Sequence, residues 1–160
     1  MTRGLKVTSE MSAGDKKLLD DIKRVGWHVI NVFSPGNETP EWSFSIGLFH
    51  SFGHPEVIIF GLPRDRRAAI VNQVGRQVQT GKIYQAGSVY PDILADSYRC
   101  MFSAVPSPIY RDYVGYALWF YENDQFPLFQ CFWPDKQGLF PWNDGCNDDV
   151  RVAQPVLFSE

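Results

Sequence analysis

The sequence predicts one compact α+β domain with a mixed or mainly antiparallel sheet and about three helices. Its length of 160 residues is typical of a single domain. Hydrophobic patterns with helical and with strand periodicity alternate along the chain. Two of the strand-like segments follow each other across a tight polar connection, as in an antiparallel pair. We expect a flexible lead-in over residues 1–11, the domain over 12–147 and a C-terminal tail over 148–160.

The first predicted element is a helix that begins after Ser12. Ser12 and Asp15 have the spacing of a capping box, with Asp in place of the preferred Glu or Gln. Apolar residues then recur on one helical face, and Gly26 is placed to end the helix. That apolar face consists of Leu18, Leu19, Ile22 and Val25.

Three strand-like segments follow this helix. Residues 27–33 are rich in β-branched and aromatic side chains. Residues 42–48 alternate apolar and small polar side chains, which places the apolar ones on one face of a strand. A Gly-His-Pro turn at 53–55 interrupts the chain before 56–61, whose apolar run is typical of a buried strand. The apolar residues of the alternating segment are Trp42, Phe44, Ile46 and Leu48.

A second helix is predicted over residues 64–80. Pro63 suits its first turn and Gly81 its end. Valine and isoleucine residues form its apolar stripe at helical spacing. They are Ile70, Val71, Val74 and Val78.

The second half of the chain adds two strands and a third helix. Residues 98–105 and 126–133 have the composition of strands, and 134–138 form a terminating turn. A Ser-Pro pair opens the predicted third helix, which runs over 107–121. Its apolar face consists of Ile109, Tyr113, Ala117 and Phe120.

Two stretches, together with Gly-Trp-His-Val at 26–29, carry a family resemblance. The stretch 44–62 contains an Ile-Gly-Leu strand and a Gly-His-Pro-Glu turn, and the stretch 129–146 contains Trp-Pro-Asp, a glycine and Phe-Pro-Trp. In this order they resemble the bacterial domain-of-unknown-function family numbered 4262, over residues 15–147. The resemblance implies a bacterial origin and a compact α+β domain, and it supplies no catalytic residues.

The composition is that of a folded protein without a membrane span. Hydrophobic residues make up 44% of the chain and aromatic residues 15%, which excludes a disordered, collagen-like or coiled-coil chain. No apolar run approaches the roughly 20 residues of a membrane helix, and residues 1–17 lack the apolar core of a signal peptide. Three cysteines suit reduced thiols better than a disulfide framework. We therefore expect a cytoplasmic protein.

Charge is unevenly distributed along the chain. The net charge of −3 argues against nucleic acid as the main partner. Residues 64–82 are mainly basic, whereas residues 122–149 are mainly acidic. The acidic segment is either a solvated face or a rim that attracts a basic partner. Its acidic residues are Glu122, Asp124, Asp135, Asp144, Asp148 and Asp149.

His54 and Glu56 form the first candidate site. If a strand begins at Pro55, side chains two residues apart point to the same face. A histidine and a carboxylate that converge on one pocket can act as an acid–base pair, and Tyr121 or Trp142 would line that pocket. The alternative is a structural turn, in which His54 caps backbone groups and Glu56 begins the strand.

A metal site and a cysteine nucleophile find less support. His50 and His54 have the four-residue spacing of helical zinc ligands, but the glycine and proline around His54 oppose a helix. The acidic neighbours of Cys146 suppress its thiolate, and Cys100 and Cys131 suit the core. We predict no metal and no other cofactor.

The best anion site in the sequence is the start of the second helix, at 63–67. Free backbone amides at a helix start and arginine side chains both favour anions. Three arginines coincide there, namely Arg64, Arg66 and Arg67.

The segment 132–143 is rich in aromatic and proline residues. One interpretation is a packed lid over one end of the sheet. The other is a recognition surface anchored by Trp133 and Trp142, with Asp135 holding the loop through an Asx turn and Asp144 in the acidic rim.

These features favour a protein-binding module as the first functional hypothesis. Neutralising a toxin, as an immunity protein does, or regulating a partner is its concrete form, and the acidic rim favours a basic partner surface. The alternative is an enzyme or small-ligand-binding domain that uses His54 and Glu56. A structural subunit of a homo-oligomer is a third option. We expect neither nucleic acid nor membrane as a partner.

Overall fold

The computed structural model describes residues 12–33, 40–94 and 98–157, so the predicted lead-in at 1–11 lies outside the described residues. The helices are α1 (Ala13–Val25), α2 (Leu48–Phe52), α3 (Arg64–Gln79), α4 (Tyr110–Tyr113), α5 (Gly115–Tyr121) and α6 (Asp148–Ala153). The strands are β1 (His28–Val32), β2 (Trp42–Ile46), β3 (Glu56–Phe60), β4 (Val89–Tyr90), β5 (Cys100–Ala104) and β6 (Leu128–Phe132). The predicted α+β class is confirmed, with six helices over the described ranges where about three were expected.

The strands form one six-stranded mixed sheet in the order β1-β2-β3-β6-β5-β4. β2 pairs antiparallel with both β1 and β3, which confirms the predicted antiparallel pair. β5 is antiparallel to β4 and β6. β3 and β6 are parallel, with Glu56 beside Leu128. Because parallel strands end at the same edge of a sheet, the chain leaves β3 at Gly61 and β6 at Trp133 side by side.

Helices cover both faces of the sheet. On one face, Phe44 and Ile58 pack in a cluster with α1, α4 and α5. On the other face, Val57, Ile59 and Phe102 pack against α3. No helix in the described part of the chain is long and apolar enough to cross a membrane.

The two long helices follow the sequence closely. Ser12 Oγ accepts a hydrogen bond from the Asp15 N–H at 3.1 Å, and the Asp15 carboxylate accepts one from the Ser12 N–H at 3.2 Å. Gly26 then ends α1 in the left-handed conformation. The predicted stripe of α3 is buried, and Pro63 precedes the helix as its cap instead of forming its first residue.

The strand predicted over 42–48 is shorter than expected, ending at Ile46. The prediction that Leu48 shares a face with Phe44 is wrong, because Leu48 belongs to α2 and packs in the α3 layer. The chain turns at Gly47, whose φ is 120°. A side chain there would place Cβ 2.5 Å from the carbonyl oxygen of Gly26, so only glycine fits this turn.

The single helix predicted over 107–121 is divided into three short segments. A 3₁₀ turn at Ser107–Ile109 leads into α4, and α5 follows after Val114. Val114 is fully buried and has a non-helical backbone, with φ −127° and ψ 43°. A β-branched residue followed by glycine is a weak point in a helix, and the helix is interrupted at this pair.

Residues 148–157 of the predicted tail pack on the domain. The side-chain amide of Gln154 donates to the Trp133 carbonyl at 2.8 Å and accepts from the Trp133 N–H at 3.0 Å. Leu157 is buried in the cluster that includes α1. This segment therefore fixes the chain as it leaves β6.

Candidate functional site

Glu56 is the buried anchor of the corner between β2 and α2. Its carboxylate accepts hydrogen bonds from Ser45 Oγ at 2.7 Å and from the backbone N–H groups of residues 47–49 at 2.9–3.2 Å. The phenol of Tyr121 is a further donor. Burial raises the pKa of the Glu56 carboxyl, while these donors oppose the rise. Both carboxylate oxygens are thus occupied by the protein itself.

His54 is held by two backbone groups and is 4% exposed. Its Nδ1 lies 2.9 Å from the Pro55 carbonyl oxygen, and its Nε2 lies 3.1 Å from the Tyr84 backbone nitrogen. Because a carbonyl only accepts and an N–H only donates, Nδ1 carries the proton and Nε2 is the acceptor. Burial lowers the pKa of His54, which keeps this ring neutral.

The structure does not bring His54 and Glu56 into one cavity. The Glu56 carboxylate faces Tyr121, which packs in the cluster with α1. The His54 ring packs edge-on against Tyr84 and Phe129 in the α3 layer. Neither residue lines the cavities described below. The polar atoms of both side chains are hydrogen-bonded to backbone groups, so none of them faces a cavity that could bind a substrate.

Asp135 organises the loop that follows β6. Its Oδ1 accepts from the N–H groups of Gln137 and Leu139, each at 2.9 Å, and its Oδ2 accepts from the Asn147 N–H at 3.0 Å. The contact with Gln137 is the Asx turn expected from the sequence. These backbone hydrogen bonds, that of Leu139 foremost, hold the pKa of Asp135 below its usual range. One carboxylate therefore ties together both ends of the loop 135–147.

Trp133 is a fixed wall at the same edge of the sheet. Its indole N–H donates to the Phe60 carbonyl at 2.7 Å, and its backbone is bonded on both sides to Gln154. The ring is half-buried. The indole therefore has one orientation, set by the neighbouring parallel strand.

A groove of about 710 Å³ opens beside the carboxyl ends of β3 and β6. α3 forms one wall and the segment 133–136 forms the opposite one. Crevices outside the carboxyl ends of parallel strands are common ligand sites, and this volume is typical of small-molecule pockets. The apolar lining includes Leu62, Ala69, Ile70, Ile93, Leu94 and Trp133.

The rim of this groove is cationic. Arg66, Arg76 and Lys136 line it and are exposed, and Asp135 is the acidic residue among the described lining residues. Gln73 Oε1 accepts from Arg76 Nη2 at 3.0 Å. Among the described residues, none of the three cations lies within ion-pair distance of a carboxylate. Within the described part of the chain, no ion pair neutralises these three charges.

The three arginines at the start of α3 point in different directions. Arg64 is exposed, with Nε 3.4 Å from Asp65 Oδ1. Arg67 is buried and donates to Ser43 Oγ at 2.9 Å and to the Leu62 carbonyl at 2.8 Å. Arg66 lines the groove. The predicted three-arginine anion site is therefore not assembled at the helix start.

A second cavity of about 630 Å³ adjoins the groove. The two share Asp135, Lys136 and Val150 in their linings. Gln137, Asn147 and Asp149 make the second cavity polar and more acidic. It opens over the loop that Asp135 holds.

The other predicted binding residues lie away from the groove. Trp142 is 39% exposed and stacks on Phe140, with ring centroids 5.3 Å apart and planes 8° apart. Asp144 is exposed, and Tyr121 is buried against Glu56. Of the five predicted binding residues, the structure brings only Trp133 and Asp135 together in the groove. The lining residues of both cavities include neither Trp142 nor Asp144.

The three cysteines are buried. Cys100 and Cys131 lie in the core on the α3 side. Cys146 is also buried, and burial together with the nearby Asp135 carboxylate raises the pKa of its thiol. Over the ranges 12–33, 40–94 and 98–157, no three metal-ligating side chains are grouped around a common point.

Sequence reasoning missed most of the groove. A partial signal existed in α3, where residues 66, 69, 70, 73 and 76 recur at helical spacing and share one face. This face combines two arginines with small and apolar residues. Nothing in the local sequence of α3 indicates that the segment 133–136 lies opposite.

A family model described as a domain of unknown function (DUF4262) matches residues 21–147. The match confirms the resemblance given by the Gly-His-Pro-Glu and Trp-Pro-Asp motifs. No curated protein and no solved structure matches the chain. The matched range includes both walls of the groove.

Proposed function

The chain belongs to the DUF4262 family, and we propose that it is a ligand-binding domain whose groove takes an organic anion with an apolar body. One observation carries the proposal: three exposed cationic side chains border an apolar floor in a cavity of about 710 Å³. Those side chains are Arg66, Arg76 and Lys136.

The groove is prepared for binding before a ligand arrives. The Trp133 indole is held by the Phe60 carbonyl, and Asp135 holds the loop behind Lys136. Rigid walls reduce the entropy lost on binding. Arginine suits carboxylates, sulfonates and phosphates, because its planar fork can donate two hydrogen bonds to one anionic group.

The lining supports binding over catalysis. The described lining residues of the groove contain no histidine, cysteine or serine. The carboxylate of Asp135 accepts three backbone hydrogen bonds and has a lowered pKa, which opposes a role as a general base. The enzyme alternative based on His54 and Glu56 gains no support from this cavity.

Calorimetric titration with dodecanoate, below its critical micelle concentration, tests the proposal. We expect Arg66→Gln to weaken binding about fivefold, the size of one partly exposed ion pair. Arg64→Gln is the matched control, because it removes the same charge two residues away and outside the groove. Absence of binding, or equal weakening by both substitutions, would overturn the proposal.

A second candidate function is protein recognition through the loop that carries Trp142. The exposed, stacked Trp142 ring beside the exposed Asp144 favours it, since rigid aromatic residues are common interface anchors. Neutralising a toxin or regulating a partner with a basic surface would be its form.

This second candidate is tested with a purified partner. A protein captured by the wild-type chain is purified, and the purified protein should bind the wild-type chain directly. Trp142→Ala should weaken this binding at least tenfold, which is the size of effect expected for an interface anchor. Phe52→Ala, at a similarly exposed aromatic residue on α2, is the control. Equal binding by wild type and Trp142→Ala would exclude this surface.

A further inference from the structure

We propose that the groove selects an elongated dianion, with one anionic group at each end of an apolar chain. This inference rests on the proposed function and adds the length and the second charge of the ligand. It follows from the positions of Arg66 and Arg76 along α3.

The backbone positions of the two arginines are well separated along the groove. Ten residues of helix separate them, which corresponds to about 15 Å along the axis of α3. Both nevertheless line the same groove. Two anionic groups that are about 10–15 Å apart can each contact one arginine.

The surface between the arginines is suited to the middle of such a ligand. Ala69 and Ile70 follow Arg66 on the same face of α3, and Leu94 and Trp133 also line the groove. An apolar chain gains free energy by covering this floor, in proportion to the area removed from water. A polar linker would lose its hydration here without a compensating partner.

The Arg76 end is oriented by its neighbour. Gln73 Oε1 accepts one N–H of the Arg76 guanidinium at 3.0 Å, which leaves the other guanidinium N–H groups for an anion. On the opposite wall, Lys136 adds positive charge.

The adjoining cavity limits where the charged ends of the ligand can lie. Asp135 borders both cavities, whereas Asp149 lines only the second one, of about 630 Å³, and like charges repel an anionic group. The ligand is thereby confined to the direction of α3. The groove therefore selects ligands by their length along α3.

Three probes separate length from charge in calorimetric titrations of the full chain. Dodecanedioate carries two carboxylates on a long apolar chain, dodecanoate carries one on the same chain, and butanedioate carries two close together. We expect dodecanedioate to bind about fivefold more tightly than dodecanoate, the gain of one further partly exposed ion pair, and butanedioate to bind most weakly.

Two variants test which residues carry the difference. Arg76→Gln should reduce the preference for dodecanedioate over dodecanoate to about one, because it removes the second contact and leaves the Arg66 contact on which dodecanoate depends, while Arg64→Gln should keep the preference. Thermal melting of both variants confirms that they are folded.

The outcomes distinguish this inference from the proposed function. Equal binding of dodecanedioate and dodecanoate would overturn the dianion inference and leave the proposed function intact. Tightest binding of butanedioate would also overturn it, because it would indicate a compact anion site. No binding of any probe would reject both proposals.

Discussion

The phenol of Tyr121 donates a hydrogen bond to the carboxylate of Glu56, and this contact joins the helical layer of α5 to the first residue of β3. The same hydroxyl accepts from the His50 N–H at 3.1 Å. Burial and the neighbouring carboxylate raise the pKa of Tyr121, so the phenol stays protonated and remains a donor. One buried hydroxyl thus connects α5, α2 and the sheet.

Tyr121→Phe should destabilise the fold without creating a large cavity. We expect the free energy of unfolding to fall by about 2 kcal/mol, because a hydrogen bond to a buried carboxyl group and one from a backbone N–H are both lost. Tyr110→Phe is the control, since its hydroxyl donates to a neutral carbonyl, that of Phe126 at 2.9 Å, instead of to a carboxylate. Urea unfolding measures both, and an equal or smaller loss for Tyr121→Phe would contradict this role.

His54 should make stability depend on pH. Burial lowers the pKa of His54 below its value of 6.5 in the unfolded chain, so the unfolded state binds a proton first as the pH falls. The contribution of neutral His54 to the free energy of unfolding is fully present above about pH 6.5. It is lost as the pH falls toward the pKa of His54 in the folded state, and the free energy of unfolding then changes by at most about 1.4 kcal/mol per pH unit.

His54→Gln isolates this contribution, because Gln can still accept from the Tyr84 N–H without titrating. Urea unfolding of wild type and variant should give a difference in stability that shrinks between pH 7 and pH 5. A difference that is constant over this range would mean that His54 keeps the same charge in both states.

Gly75→Ala should be destabilising although alanine favours helices. An added Cβ would lie 2.4 Å from Cε2 of the Trp27 indole, and that ring is fixed by its N–H donating to Asn72 Oδ1 at 2.9 Å. We expect a loss of about 1–3 kcal/mol from overpacking, against a gain of about 1 kcal/mol from helix propensity. Thermal melting measures the balance.

Gly115→Ala provides the comparison, because no described atom outside its own helix backbone and chain neighbours lies within 4 Å of the added Cβ. It should leave the melting temperature unchanged or raise it. Equal melting temperatures for the two variants would show that Trp27 moves aside without cost.

The sequence specified elements whose determinants are local. α1 begins and ends where Ser12, Asp15 and Gly26 place it, because capping groups act on their own helix. β3 was also predictable, because a short apolar run in a small domain is typical of a buried strand. These elements depend on residues within a few positions of one another.

Elements and sites that depend on distant residues were not predictable. The alternating pattern predicted that the strand continues to Leu48, but α2 begins there. The carboxylate of Glu56 accepts hydrogen bonds from the backbone N–H groups of that turn and so stabilises it. The groove requires the parallel pairing of β3 and β6, which brings Trp133 beside Phe60. Its two walls are about 60 residues apart in the chain, and no local pattern in either wall indicates the other.

Asp135→Asn should loosen the loop behind the groove. Asparagine keeps one acceptor for Gln137 and Leu139 but replaces the acceptor of the Asn147 N–H with a donor. We expect faster hydrogen exchange at the Asn147 amide and weaker binding of dodecanoate. Asp144→Asn, at an exposed residue of the same loop, is the control and should change neither. Unchanged hydrogen exchange at the Asn147 amide in Asp135→Asn would show that Asp135 does not organise the loop.

An amide and indole chemical-shift map of the isotope-labelled chain, titrated with dodecanoate, locates the binding site residue by residue. If the groove binds the anion, the largest shifts fall on its two walls, at Ala69 and Gln73 of α3 and at the Trp133 indole and Lys136. Largest shifts at the Trp142 indole, or no saturable shifts at all, would show that the groove is not the binding site.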